Sequence, residues 1–339
     1  MKNIIFLLFY FITHYCWAEH VFVDGKEFFS LQAAKLAIKD GSRIYLKAGI
    51  YTEGVYLKAN NIEIIGEKNV VFDNAAIDGK AALVLAGNDV LVESVECRNI
   101  HVKDLNGACI RFEGINLTVR DLYAHDSQSG VMTNYNDGFL KIEYSTFERL
   151  GGKAKGKGYA HAIYANVGEF SFFESKLLSM GEEGSGLKSR SRKTIVMSSL
   201  LATLDGKDSR LIDVANYGEL IIKGSILQQG DNSSNSQLIA YGLENRPINY
   251  AINKIEITNN LFLLDRDKAN VIIAYKKAND VLIENNVMIG DFLYPNEFSK
   301  RNPWYISREK AKLRPYPYLP NISELGQLIN IIGIVGELN

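Results

Sequence analysis

The run Gly186-Leu187-Lys188-Ser189-Arg190-Ser191-Arg192 places three cations at alternate positions. On an extended strand, alternate side chains share one face. Cations this close repel one another unless an anion or counter-charge sits among them. The chemistry expected is recognition of an anionic substrate, with Lys188 losing its proton more easily beside the arginines and acting as base. A solvated positive strip answered by Glu182, Glu183 or Asp213 is the plainer alternative. One stretch earlier stands Ala160-His161-Ala162-Ile163-Tyr164. Tyr164 falls about one strand spacing from Lys188 and suits an acid to a leaving oxygen, or a group that stabilises it. His161 shares the parity of inward Ile163, so it is a reserve base or a buried, satisfied histidine.

These residues need elements that bring separate segments together, and the chain supplies them by repeating itself. A short pattern of apolar alternation, then a small or polar residue, then another apolar one recurs in six copies starting at residues 140, 170, 194, 220, 255 and 281, with looser copies at 62, 90 and 117, nine in all. Alternation predicts strands. A unit of this size cannot close its own core and must stack on its neighbours. The fold class expected is all-β, a single-stranded right-handed parallel β-helix. Leucine-rich repeats and propellers are set aside because their signatures are missing. Ser145, Ser175, Ser199, Ser225, Asn260 and Asn286 occupy one repeat position. Strands about 4.8 Å apart would let such residues hydrogen-bond from rung to rung. Ser30 is read as the cap of a helix running to about Lys39, closing the N-terminal end of the coil.

Aligning rungs from the start of each repeat stacks the outward residues in columns. One column holds Arg111, Asn134, Tyr164 and Lys188, joined by Asp213 after a one-residue adjustment. The other holds Glu113, Asn136, Asn166 and Arg190. A groove across the central rungs is therefore the candidate site, with Lys188, Tyr164, Arg190 and His161 for chemistry and Arg111, Asn134, Asn136, Asn166, Arg192 and Asp213 for binding.

The ends are different. Met1-Lys2-Asn3, the apolar run Ile4 to Ile12 and a small residue before Glu19 read as a secretory signal peptide cut after Ala18. Residues 1–18 are thus an address, 19–60 a cap with the first strands, 61–290 the coil and 291–339 a Pro-rich cap or tail. The protein is expected to be secreted or periplasmic, without a stable membrane span. Of 3 cysteines in 339 residues, Cys97 and Cys109 outlast cleavage, either bridged or as buried free thiols. With 38 Lys and Arg against 39 Asp and Glu, net charge is -1, which excludes a nucleic-acid partner held by bulk charge. A hydrophobic content of 47% excludes an acidic disordered chain.

The order helix, then Asp40-Gly41-Ser42-Arg43-Ile44-Tyr45-Leu46-Lys47-Ala48-Gly49-Ile50-Tyr51, then Glu63-Ile64-Ile65-Gly66-Glu67 resembles the cap and first rungs of pectate-lyase-like β-helix proteins. The stretch Glu183 to Gly218 is similar to the catalytic region of the β-helical alginate lyase and chondroitinase B family, where a Glu precedes a Lys-Ser pair. Glu183, Lys188 and Ser189 match that order, and the resemblance implies that Lys188 removes the proton beside a uronate carboxylate. The family's arginine is absent from Asp213-Val214-Ala215-Asn216-Tyr217-Gly218, so Arg210 or Arg190 would replace it. Gly181 stands where the family has a second calcium-binding Glu, and calcium is left open as a cofactor. Polygalacturonases need several carboxylates on adjacent rungs, and only Asp213 is suitably placed. The function expected is a polysaccharide lyase cleaving an acidic, uronate-containing polysaccharide by β-elimination. The alternatives are a hydrolase or epimerase on the same fold, or a non-catalytic glycan-binding module. Oligomeric state stays open.

Overall fold

The structure, a computed structural model, describes residues 20–153, 158–245, 247, 250–267, 270–291 and 301–337. The proposed signal peptide lies outside these residues. The chain winds as a right-handed parallel β-helix with three sheets along its length. Nine strands form the third sheet, in the order Val55–Leu57, Ala81–Leu85, Ala108–Phe112, Ser129–Thr133, Ile163–Ala165, Ser185–Ser189, Arg210–Val214, Gln237–Tyr241 and Val271–Tyr275. The first and second sheets are joined by a bend of a single left-handed residue, short enough that two strands, Val90–Arg98 and Leu117–His125, run through it unbroken.

That bend explains the repeat pattern. Ser94, Asp121, Tyr144, Glu174, Ser198, Asn259 and Asn285 all take left-handed backbone angles there, with φ between 44° and 58°. In the central and later rungs the residue that follows is the small polar one. Its side chain faces inward and accepts the N–H of the rung before. Ser175 Oγ receives Ser145 N at 3.0 Å, and Ser199 Oγ receives Ser175 N at 3.1 Å. Ser225 Oγ then receives Ser199 N at 3.2 Å, Asn260 Oδ1 receives Ser225 N at 2.9 Å, and Asn286 Oδ1 receives Asn260 N at 3.0 Å. Asn302 extends the column, accepting from Asn286 N at 3.0 Å. Each bond satisfies a buried backbone donor that the bend removes from the sheet ladder.

Apolar residues fill the space between the sheets in matching stacks. In the first sheet Ile64, Val92, Val119, Ile142, Phe172, Val196, Ile222, Ile257 and Ile283 are register partners and all are buried. Each such side chain contributes roughly 1.5–3 kcal/mol of transfer free energy. Cys97 and Cys109 lie in this core as a disulfide, 12 residues apart, which decides between the bridge and free thiols.

The cap differs from expectation in extent. Ser30 does cap a helix, accepting Ala33 N at 3.1 Å, but the α-helix covers only Leu31–Ala34 and passes into a 3-10 turn at Lys35–Ala37. Ile38 is already extended, with ψ 123°. An antiparallel hairpin, Val21–Val23 with Lys26–Phe28, completes this end. At the other end the chain returns along the outside of the second sheet. Trp304–Tyr305 adds a strand to Val287–Gly290, and a helix, Leu325–Glu337, follows. Tyr305, Ala311, Leu325 and Ile332 cover the outward residues Ile226, Leu261, Leu263, Val287 and Ile289. No helix among the described residues is long and apolar enough to cross a membrane.

Candidate functional site

Strand pairing in the third sheet fixes which residues meet on its outer face. In sequence order the outward column reads Tyr56, Val84, Arg111, Met132, Tyr164, Lys188, Asp213, Ala240 and Ala274. Tyr164, Lys188 and Asp213 are therefore direct neighbours, as the rung alignment anticipates. Asn134 is not in this column, because Met132 occupies the place expected for it. The turn between Thr133 and Phe139 is longer than those of adjacent rungs, so counting six back from the next repeat stops two residues short of Met132. Asn134 instead lies one position along, beside Glu113, and accepts a hydrogen bond from Arg111 Nη2. Asn136 is a turn-holding residue, donating to Gly114 O at 3.0 Å and accepting from Gly138 N at 2.9 Å. Arg111 is separated from Tyr164 by Met132 and stands outside the cluster. Asn166 opens the turn after the Tyr164 strand, its N–H bonded to Thr133 Oγ1 at 2.8 Å.

The cations do not share a face. The strand ends at Ser189, so Arg190 and Arg192 belong to the turn that follows. Arg192 is exposed and lines a separate hollow with Asn116, Asp137, Phe139, Lys141, Glu169 and Ser171. Lys188 and Arg190 come together instead around carboxylates. Lys188 is only 5% exposed, and its Nζ donates to Asp213 Oδ2 at 2.5 Å and to Glu244 Oε1. Arg190 is a hub: Nε donates to Tyr164 Oη at 2.7 Å, Nη1 to Asn216 Oδ1 at 2.8 Å and Nη2 to Glu244 Oε2 at 2.8 Å. Its carbonyl receives the Tyr250 hydroxyl at 3.0 Å.

This geometry gives Lys188 fixed partners. Its Nζ is tied to two carboxylates, and Arg190 shares one of them, Glu244, so the two cations stand around a common counter-charge and not as an unanswered positive strip. The counter-charges are Asp213 and Glu244, with Asp213 alone anticipated. Glu183, Lys188 and Ser189 do not assemble as the lyase family's order implies. Ser189 is fully buried and bonded to Thr194 Oγ1 at 2.7 Å, while Glu183 is exposed.

His161 lies behind Tyr164, ring centroids 6.0 Å apart. Its Nδ1 accepts Ser185 N at 2.9 Å, which leaves the proton on Nε2 in the neutral ring. Burial, then the Lys188 charge, push it down to about 4. The satisfied-histidine alternative describes its Nδ1. Glu244 behaves oppositely to a buried acid. Burial would raise its pKa, but Lys188 and Arg190 outweigh that and hold it at about 2.

Glu244 comes from the turn at residues 242–253, far longer than the 190–192 turn it leans against. Gly242 starts that turn with φ +68°, and a Cβ there would sit 2.0 Å from a Tyr217 ring carbon. Only glycine allows the chain to turn back so closely. The sequence signal for Glu244 is the interval itself, since a long insertion beside a groove is where function concentrates. No three His, Cys, Asp or Glu side chains converge as metal ligands among the described residues.

No family model matches the chain, and no curated protein sequence matches it. Solved structures do. Pectate lyase Pel9A is 15% identical with a TM-score of 0.45, over 76% of this chain and 74% of that one. Pectin methylesterase PemA from Erwinia chrysanthemi is 14% identical with a TM-score of 0.38, over 84% and 86%. ORF18 of Geobacillus virus E2 is 14% identical with a TM-score of 0.33, over 75% and 54%. These likenesses concern the fold, which hosts unrelated chemistries.

Proposed function

We propose that the outer face of the third sheet binds an acidic, uronate-containing polysaccharide and cleaves it by β-elimination, in a protein exported by its N-terminal segment. The observation that carries this is the Arg190 hub, which couples a phenol to a buried cation pair. Lys188 and Arg190 neutralise the uronate carboxylate and the enolate-like charge that grows on it as the neighbouring proton leaves. Arg190 Nε donates to Tyr164 Oη at 2.7 Å and fixes where that oxygen stands on the outer face. Tyr164 as phenolate takes the proton beside the carboxylate. The electron pair left behind becomes a carbon–carbon double bond as the glycosidic carbon–oxygen bond breaks. The same phenol returns the proton to the leaving oxygen. Asp213 fixes Lys188 in register, and His161 supports the back of Tyr164.

Hydrolysis fits less well. Acid catalysis needs a carboxyl that stays protonated near neutral pH, and Glu244 is held at about 2. The test is incubation of purified protein with polygalacturonate, alginate and glycosaminoglycans, followed by the ultraviolet absorbance of unsaturated uronate. Tyr164→Phe is expected to lower turnover by about a hundredfold to ten-thousandfold. Undiminished turnover in that variant would rule out the assignment, and binding without product would favour a glycan-binding module.

A further inference from the structure

We infer that Lys188 and Arg190 form a carboxylate-binding site that Glu244 fills as an internal ligand until substrate displaces it. The inference rests on the acidic-polysaccharide proposal for the identity of the displacing group, and on geometry alone for the site. Glu244 spreads its two oxygens over two donors, Oε1 on Lys188 Nζ and Oε2 on Arg190 Nη2 at 2.8 Å. A free carboxylate approaching this pair would make the same two bonds. Asp213 cannot be the displaced group. It belongs to the strand beside Lys188, is 6% exposed and touches Lys188 from within the sheet. Glu244 reaches the pair from a turn two rungs later, and 31% of its side chain faces solvent.

Charge makes the exchange specific. Lys188 and Arg190 against Asp213 and Glu244 sum to zero. With Glu244 withdrawn, two cations face one carboxylate in a largely buried site. Such a surplus is costly unless another anion enters. A uronate restores neutrality, whereas a neutral sugar of the same shape leaves the cations uncompensated. The tethered carboxylate competes at an effective concentration set by its turn, so apparent substrate affinity is reduced by the fraction of molecules in which Glu244 is seated. Glu244 thus sets specificity against neutral glycans and holds the cation pair shielded when substrate is absent.

Trigalacturonate and galactotriose, which differ in their carboxylates, would be titrated calorimetrically into the wild-type protein and Glu244→Gln at fixed ionic strength. Trigalacturonate is expected to bind Glu244→Gln at least tenfold more tightly than wild type, and galactotriose equally weakly to both. An unchanged or lower trigalacturonate affinity in Glu244→Gln overturns the inference. Adding Lys188→Met to Glu244→Gln is expected to remove the gain, and a gain that survives also overturns it. The lyase proposal fails separately: tight trigalacturonate binding with no unsaturated product from any uronate polymer leaves the site standing and the reaction wrong.

Discussion

Asp208 offers a quantitative test of how the coil tolerates a buried acid. Its side chain is fully buried, and neither carboxyl oxygen has a hydrogen-bond partner among the described residues. Burial pushes it up to about 6, and the Thr203 and Ser233 hydroxyls stand near enough to offset part of the rise without closing a hydrogen bond to either oxygen. An unfolded Asp titrates near about 3.9. The folded value is raised, so the fold binds this proton more tightly than the unfolded chain. Its stabilising contribution is complete below about pH 4 and is lost as pH rises through about 6. A rise from about 3.9 to about 6 corresponds to about 3 kcal/mol. Asp208→Asn keeps the shape and cannot ionise. Urea unfolding of both proteins across about pH 4 to 7.5 should show the variant gaining about 2 to 2.5 kcal/mol on wild type between those limits, most of the full span. Comparing two pH values cancels any fixed cost of the new amide. A difference between the proteins that is independent of pH would refute the reasoning, because it would mean that the carboxyl titrates alike in both states.

His161 should produce the opposite slope. Its folded value is depressed to about 4, so stability from the neutral ring is lost as pH falls from about 6.5 toward 4, by about 3 kcal/mol. Asp208→Asn should therefore uncover a steeper acid loss than wild type shows, and His161→Gln should remove it, both read from urea midpoints. Asn260→Ala would strip Ser225 N of its acceptor and remove the donors to Ile222 O and Asn286 Oδ1, each at 2.9 Å. A loss of about 2–4 kcal/mol is expected from the buried polar groups left unpaired. Reducing the Cys97–Cys109 bridge, or Cys97→Ala with Cys109→Ala, should cost about 3 kcal/mol, measured as a lower unfolding midpoint.

The coil and its inner column are legible in the sequence because both depend on local repetition. From Leu140 onward a small polar residue follows each bend and is visible in the repeat, and Ser145 through Asn286 stack as read. The outer columns are less legible, since turn lengths vary without disturbing the core. Two extra residues after Thr133 displace Asn134 and Asn136 from their expected places while Leu140 keeps its register with Leu117. Glu244 is hidden for a different reason. It meets Lys188 across 56 residues through the return of a long turn, and no periodicity encodes that. The cations mislead because alternate spacing implies a shared face only while the strand lasts, and this one stops at Ser189.

The C-terminal return along the second sheet bears on how the coil comes apart. A bare solenoid behaves as a linear lattice in which each rung knows only its neighbours and the last one frays first. Here Arg308 grips Asp265 with both Nε and Nη2, at 2.5 and 2.7 Å, and donates to the carbonyls of Arg314 and Tyr318. Tyr316 reaches Asp205 at 2.7 Å. The tail therefore ties several rungs to one another directly and converts their sequential melting into a joint event. It works as a clasp, so the final turns of the coil should open together or not at all.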